Sequence, residues 1–437
     1  MAEIDDTADE PTVPGIPDQI AEPKLEAPPV PKSLAETGLE ETMLSDLALK
    51  HIFFSGGAEA IKIAEMMRLD FVIIRDILNN LKTQELIMAQ GGSWSLGGEG
   101  IRHLVTERGR TKIDEILQRD NYRGPAPVPY SQFVDQLKKQ SIRSHKITPE
   151  RVKAAFGKLV LEPVVVERIG PAINSGKSIF LYGPPGNGKT SLAECIIESI
   201  SGNVFIPHAI VVDAEIVKVY DELYHKPQTT TAEYDKRWVH TKRPIVIAGG
   251  ELNLEMLDLQ WKGQSTYYEA PFQVKASSGV LFIDDFGRQR CNPQELLNRW
   301  IVPLENGFDF LTFRTGQKVK ALFDTLVVFS TNLDPKDLVD EAFLRRIRYK
   351  IEVGNPSEAN YKKIFAIICK KYGIAYDEKM VDYLIDKHYT KAKRPLRACQ
   401  PRDLLEQLTD INKYTGEQTK LTPETLDRIC NLYFVEL

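Results

Sequence analysis

At 437 residues the chain exceeds what a single core ordinarily serves, which predicts two or three domains with ample length to bury them. No apolar run approaches the roughly 18 residues that a membrane span needs, and the acidic, proline-rich start is unlike a secretory or organelle-targeting segment. A cytoplasmic setting without membrane insertion is therefore expected, and five dispersed cysteines with no CxxC or Cys/His pairing point away from a disulfide framework and from zinc.

Residues 1–40 hold ten acidic residues against two lysines, with seven prolines and almost no aromatic content, the composition of a disordered acidic tail. Without that tail the remaining chain carries about +3, too little for a body built to grip a phosphate backbone. From residue 41 to 122 the pattern becomes short amphipathic helices: Leu44, Leu47, Ala48 and Ile52, then Ile61, Ala64 and Met67, then Phe71, Ile74, Leu78 and Leu81. Two short strands, 86–88 and 93–96, flank Gly91-Gly92, a dipeptide suited to a tight hairpin, and a further helix runs from about 111 to 118. Three helices with a two-stranded wing look like a winged helix, whose recognition helix is expected at 71–83. Acidic residues outnumber basic ones by two across 41–122, which favours protein docking over DNA reading. Arg102, Arg108, Arg110 and Lys112 near the wing keep the DNA reading open.

Gly124-Pro125-Ala126-Pro127-Val128-Pro129 has the composition of a stiff linker, placing a boundary over 123–147. Helices are predicted from Thr148 to about Leu161 and from Pro163 to Ile173. Next, the buried strand Ile179-Phe180-Leu181-Tyr182 runs into Gly183-Pro184-Pro185-Gly186-Asn187-Gly188-Lys189-Thr190 and then Ser191, with Leu192, Ala193, Ile196 and Ile197 at helical spacing behind it. That is the GxxxxGK[ST] phosphate loop in its strand–loop–helix context. Its glycines turn backbone N–H groups inward around a phosphate, the helix N-terminus adds a positive dipole end, and Lys189 brings a point charge. Thr190 is left to ligate Mg²⁺.

The strand Val280-Leu281-Phe282-Ile283 ends in Asp284-Asp285, and ligands of open α/β sheets sit at such strand ends. Asp284 is expected to hold Mg²⁺ through water and Asp285 to orient and deprotonate the attacking water. The 94 positions between Thr190 and Asp284 exceed one βαβ unit and require an insertion, with strand-like stretches at 208–220 and 244–259. Its aromatics Trp261, Tyr267 and Tyr268 read as sheet-face residues or as a grip on a client. Residues 308–323 read as a hairpin, followed by the strand Leu326–Thr331, Asn332, and the paired Arg345 and Arg346. Residues 356–437 return to helical spacing and contain Arg402 near the start of a helix.

Phosphate loop, acidic strand end, strand-terminal Asn332, paired arginines and Pro401-Arg402-Asp403 occur in the order seen in AAA+ ATPases, which residues from about 145 to 437 resemble. The resemblance implies a P-loop α/β module over 148–355, a parallel sheet sandwiched by helices, with a helical lid over 356–437 and an N-terminal winged-helix domain. It implies ATP and Mg²⁺ as ligands, Asn332 as the sensor aligning the lytic water, and Arg346, with Arg345 as alternate, reaching into a neighbouring subunit's site. Arg402 is implied as the second sensor on the lid. The hairpin is similar to that of MoxR-like and Clp-like AAA+ proteins, and the whole resembles winged-helix ATPases linked as chaperones to pilus assembly. These resemblances imply a chaperone-like remodelling ATPase with a protein client, working as a homo-oligomeric ring, a hexamer. A DNA-associated loader or regulator, and a nucleotide-gated scaffold with little turnover, remain as alternatives.

Overall fold

Along three central strands, successive side chains are buried on opposite sides, which requires a covered layer on each face of the sheet. The computed structural model describes residues 25–90, 100–144, 146–200, 202–261, 266–338, 344–416 and 420–434.

The chain opens with α1 (Leu34–Thr37), capped by Ser33, and α2 (Glu41–Phe54). β1 (Ala58–Glu59), α3 (Ala60–Met67), α4 (Phe71–Thr83), β2 (Ile87–Gln90), β3 (Arg102–Val105) and α5 (Glu107–Arg119) follow. Helices α2 to α4 bury Leu44, Ile52, Ile63, Ile74 and Leu78 together, beside an antiparallel sheet of order β1-β3-β2. The strand expected at 93–96 lies outside the described residues; the partner of β2 is β3, with Ile87 opposite Val105. The cations near it are tied up locally: Arg108 pairs with Glu85, Arg110 with Glu107 and Lys112 with Glu115.

The expected linker is folded. Val128–Pro129 forms β4, and α6 (Tyr130–Lys139) buries Phe133 and Leu137. The Pro-rich composition misled because β4 is the edge strand of a sheet, where a missing N–H costs no ladder bond, and Pro129 then caps a helix. Part of the segment expected as a tail, residues 25–40, is likewise folded. Leu25 and Ala27 pack on the core beside α6, and Pro28 and Glu26 accept hydrogen bonds from the Asp235 amide and the Gln136 side chain. A segment too polar for a core of its own borrows a distant one.

Helices α7 (Pro149–Phe156) and α8 (Pro163–Asn174) lead to β5 (Ile179–Tyr182) and α9 (Lys189–Ser199). The insertion then supplies β6 (Asn203–Pro207), β7 (Ala209–Val212), β8 (Glu215–Lys218) and β9 (Trp238–Lys242). β10 (Ile245–Ala248) returns to the central sheet, so only the start of the strand-like stretch 244–259 is strand, and it belongs to the nucleotide-binding layer. Then come β11 (Gln260–Trp261), β12 (Tyr268–Glu269), α10 (Phe272–Lys275), β13 (Val280–Ile283), α11 (Pro293–Asn306), the hairpin β14 (Phe308–Thr312) and β15 (Lys318–Leu322), β16 (Leu326–Thr331), α12 (Pro335–Leu338) and β17 (Tyr349–Glu352).

The central sheet is parallel throughout, in the order β10-β13-β16-β5-β17. Ile179, Leu181, Val280 and Phe282 face α7, α8 and α9, while Phe180, Leu281, Ile283 and Phe329 face α11 and Trp300. A second sheet, β11-β12-β8-β7-β4, shares a core with α6 and the β14–β15 hairpin. Its β7–β8 turn places Asp213 and Ala214 at φ 48° and 70°, the positive angles of a two-residue hairpin. Tyr268 is buried in this core with Trp261 and Phe313 against it, so the Tyr268 ring belongs to the sheet and is unavailable as a grip, while Trp261 is only half-buried. Tyr267 packs edge-on against Tyr122.

The N-terminal unit is docked on this second sheet, since Ala209 and Ile216 share its core and the Asn121 amide donates to Thr266 Oγ1 at 2.9 Å. The lock is Arg237, 1 % exposed, paired with Asp235 and donating to the carbonyls of Thr37 and Pro127 at 3.0 and 3.1 Å. Arg237→Ala leaves the Asp235 carboxylate buried without its cation and is expected to cost about 3–5 kcal/mol, measured by urea denaturation. A loss under about 1 kcal/mol would show that the pair is dispensable.

After β17 the chain forms α13 (Glu358–Lys371), α14 (Glu378–Leu384), α15 (Gln400–Thr415) and α16 (Pro423–Tyr433). Their separate core holds Phe365, Leu384, Leu404, Leu408 and Leu426. No helix among the described residues is long and apolar enough to cross a membrane.

Candidate nucleotide site

Gly183 follows β5 at φ 137°, and a Cβ there would lie 2.4 Å from the Val353 carbonyl oxygen, so the loop can leave the sheet only through glycine. Gly186 and Gly188, both at φ 81°, complete the turn, and Gly188 caps α9. Pro184, Pro185 and Asn187 fill the positions between them. Lys189 is 6 % exposed and its Nζ donates to the carbonyls of Gly183 and Pro184, both at 2.9 Å, across the mouth of the loop. Burial pulls its pKa below the usual lysine range, against Asp284 and Asp285, which favour the charge. Ser191 lies half-buried in the first turn of α9.

Parallel pairing carries β13 beside β16, and β16 beside β5, so the acidic strand end arrives level with the loop. Thr190 Oγ1 donates to Asp284 Oδ2 at 3.2 Å. These two hard oxygen donors fit Mg²⁺, which keeps several waters and takes one or two protein ligands beside substrate phosphates. Among the described residues no cluster of three His, Cys, Asp or Glu competes as a metal cage.

Asp285 stands at φ 46°, in the left-handed region, with its amide bonded to Asp284 Oδ1 at 2.9 Å. Asp is among the few non-glycine residues that tolerate this region. Asn332, just past β16, donates from Nδ2 to Asp285 Oδ1 at 2.8 Å, so sensor and base candidates meet across 47 residues of sequence. Gln289 was missed in the sequence: its Nε2 donates to the carbonyls of Asp284 and Asp285 at 2.9 and 3.1 Å, and its Oε1 accepts from Gly287. A glutamine four residues past an acid pair carries no signal that would have singled it out.

Arg345 is exposed, and Arg346 donates from Nε to Glu305 Oε1 at 2.6 Å, at the C-terminal end of α11. Residues 339–343, just before them, lie outside the described residues. On the lid, Arg402 is exposed and pairs with its neighbour Asp403. The lid arginine at the loop is Arg397, whose Nη1 donates to the Pro185 carbonyl at 3.1 Å. The turn before α15 carries it there, with the Arg397 amide bonded to Gln400 Oε1.

A phosphate loop, a Thr–Asp pair and a second carboxylate held by a strand-end Asn define a P-loop nucleotide-binding domain. Residues 179–355 match the model of the ATPase family associated with various cellular activities (AAA), a family whose members use ATP with Mg²⁺. The helices after β17 match a domain of unknown function (DUF8689) over residues 357–432. Among curated proteins the chain is similar to a probable spastin homolog of Brugia malayi, 24% identical over 221 residues, covering 49% of this chain and 39% of that one. It is similar also to the 26S proteasome subunit RPT4 of Saccharomyces cerevisiae, 26% identical over 211 residues, covering 47% and 37%. The chain thus spans under two fifths of the length of these relatives. Among solved structures, a mutant of RuvB from Thermotoga maritima aligns at 14% identity and a TM-score of 0.36, over 67% of this chain and 72% of that one.

Proposed function

We propose that the chain hydrolyses ATP and couples the hydrolysis to remodelling a protein client, as a homo-oligomeric, hexameric ring. The observation that carries this reading is the coupled pair of contacts Thr190–Asp284 and Asn332–Asp285 at the mouth of the phosphate loop. Lys189 holds the β- and γ-phosphates, Thr190 and Asp284 hold Mg²⁺, and bound Mg²⁺ supplies charge neutralisation on the phosphate oxygens. Asp285 accepts the proton of the attacking water, and Asn332 fixes that carboxylate's orientation. Arg397 neutralises phosphate charge from the lid, and Arg346 does so from the next subunit.

The N-terminal residues 41–122 serve as a protein-docking winged helix. Their slight acidic excess and the pairing of Arg108, Arg110 and Lys112 with carboxylates support this over a DNA-bound loader. One relative is by name a subunit of the 26S proteasome, which supports work inside a multi-subunit assembly. The β14–β15 hairpin ahead of β16 supports a place beside MoxR-like AAA+ proteins, including the pilus-linked chaperone type.

Asp285→Asn tests the chemistry. It is expected to keep ATP binding and to slow phosphate release about 10²- to 10⁴-fold, because the proton acceptor is lost while Asp284 stays. Unchanged turnover would move the base elsewhere. A wild-type chain that binds ATP with no steady-state phosphate release would favour the nucleotide-gated scaffold.

A further inference from the structure

Asn187 has no assigned chemistry in the phosphate loop, yet its side chain is 6 % exposed and spans three parts of the molecule. Its Nδ2 donates to Asn355 Oδ1 at 2.8 Å, and its Oδ1 accepts from the Ala398 amide at 3.2 Å. Asn355 lies in the short connection between β17 and α13, the hinge between the α/β layer and the lid. Ala398 lies in the lid turn that precedes α15.

The neighbouring loop residues are held by the same turn. The Cys399 amide donates to the Gly186 carbonyl at 2.8 Å, and Arg397 donates to Pro185. A Cβ on Gly186 would stand 2.7 Å from Cys399 Sγ, so this glycine also permits the lid to seat. On the hinge side the Val353 amide donates to Tyr182 at 2.8 Å, and its carbonyl fills the space beside Gly183. Loop, hinge and lid are therefore three surfaces of one contact, and Asn187 is the side chain that bonds to both of the others.

We infer that Asn187 and Asn355 are positioning residues that transmit the state of the phosphate loop to the lid. The inference rests on the phosphate-loop reading and adds a route to it. A shift of the loop around a triphosphate moves the Asn187 amide, and because its two bonds are to hinge and lid, it redirects the lid turn at 397–399. An apolar residue at 187 would leave the Ala398 amide and the Asn355 side chain without these partners and would break the route without removing a phosphate ligand.

Hydrogen exchange of the full chain with and without Mg²⁺–ATPγS tests it, read at the Ala398 and Cys399 amides, with nucleotide affinity measured in parallel. In the wild type, nucleotide is expected to slow exchange at both amides. Asn355→Ala should bind within about threefold of wild type while the nucleotide-induced slowing at Ala398 falls about tenfold, the worth of one lost buried hydrogen bond. Asn355→Asp, which keeps the acceptor for Asn187, should restore the slowing. If Asn355→Ala binds nucleotide and the slowing persists in full, or if Asn355→Asp behaves as Asn355→Ala does, the route is wrong. Loss of affinity on Asn355→Ala would overturn it differently, by placing Asn355 in the phosphate site. A wild-type chain that fails to bind ATPγS would instead sink the phosphate-loop reading itself.

Discussion

Lys189→Ala will bring nucleotide binding below detection in a calorimetric or fluorescent-nucleotide titration. The Lys189 ammonium is buried and aimed across the loop at the carbonyls of Gly183 and Pro184. Hydrogen bonds to charged groups are worth about 1.5–3 kcal/mol each, so losing two phosphate contacts weakens affinity by on the order of 10² to 10⁴. The backbone amides of 186–190 and the helix dipole remain, yet they supply partial charges only and leave the γ-phosphate undercompensated. The loop itself should survive, because Gly183, Gly186 and Gly188 set its path and α9 is anchored by Leu192, Ala193 and Ile196. Unfolding midpoints near wild type would confirm that the loss belongs to the site. Undiminished ATP affinity in a folded variant would remove the phosphate-loop assignment.

Arg346→Ala is expected to lower hydrolysis by on the order of 10³ to 10⁵ while leaving ATP binding in place, the range measured for arginine fingers. Within one protomer Arg346 pairs with Glu305, with 30% and 45% of the two side chains exposed. An ion pair that accessible is worth about 0.2–1 kcal/mol, so the Glu305 pair by itself does not hold Arg346 back from a neighbouring triphosphate. The trans arrangement makes two demands. Specific activity must rise with protein concentration through the ring-forming range. Mixed Arg346→Ala and Lys189→Ala subunits must recover activity, since an intact arginine on one serves an intact loop on the other. Dilute monomers as fast as assembled rings, or dead variants that co-assemble without complementing, would refute the trans role and turn the same mixing test to Arg345.

The α/β class and the heart of the nucleotide site were legible in the sequence because both are local. A run such as Val280–Ile283 buries all four side chains in a parallel sheet flanked by helices, and a strand–Gly-rich loop–helix leaves the backbone few other paths. Motif order then foretold that Thr190 and Asp284, 94 positions apart, would meet, because parallel strands bring their C-terminal ends to one edge. Composition failed where a segment leans on a distant core. Residues 25–40 and 128–144 look like tail and linker, yet the first packs around Arg237 and α6, and the second forms an edge strand and a helix against Trp238.

By itself the sequence determined what backbone conformation and strand order dictate: the phosphate loop, the acidic strand end and the layered α/β fold. Only the tertiary structure decided which side chains complete the site. It brought Arg397 rather than Arg402 to the loop, set Gln289 under the two aspartates, joined Asn187 to hinge and lid, and placed Asp285 at a positive φ. The reason is physical. Periodicity and spacing report neighbours within a few turns of chain, whereas the Arg397 contact closes over 212 residues and depends on the angle at which a separately cored lid meets the sheet.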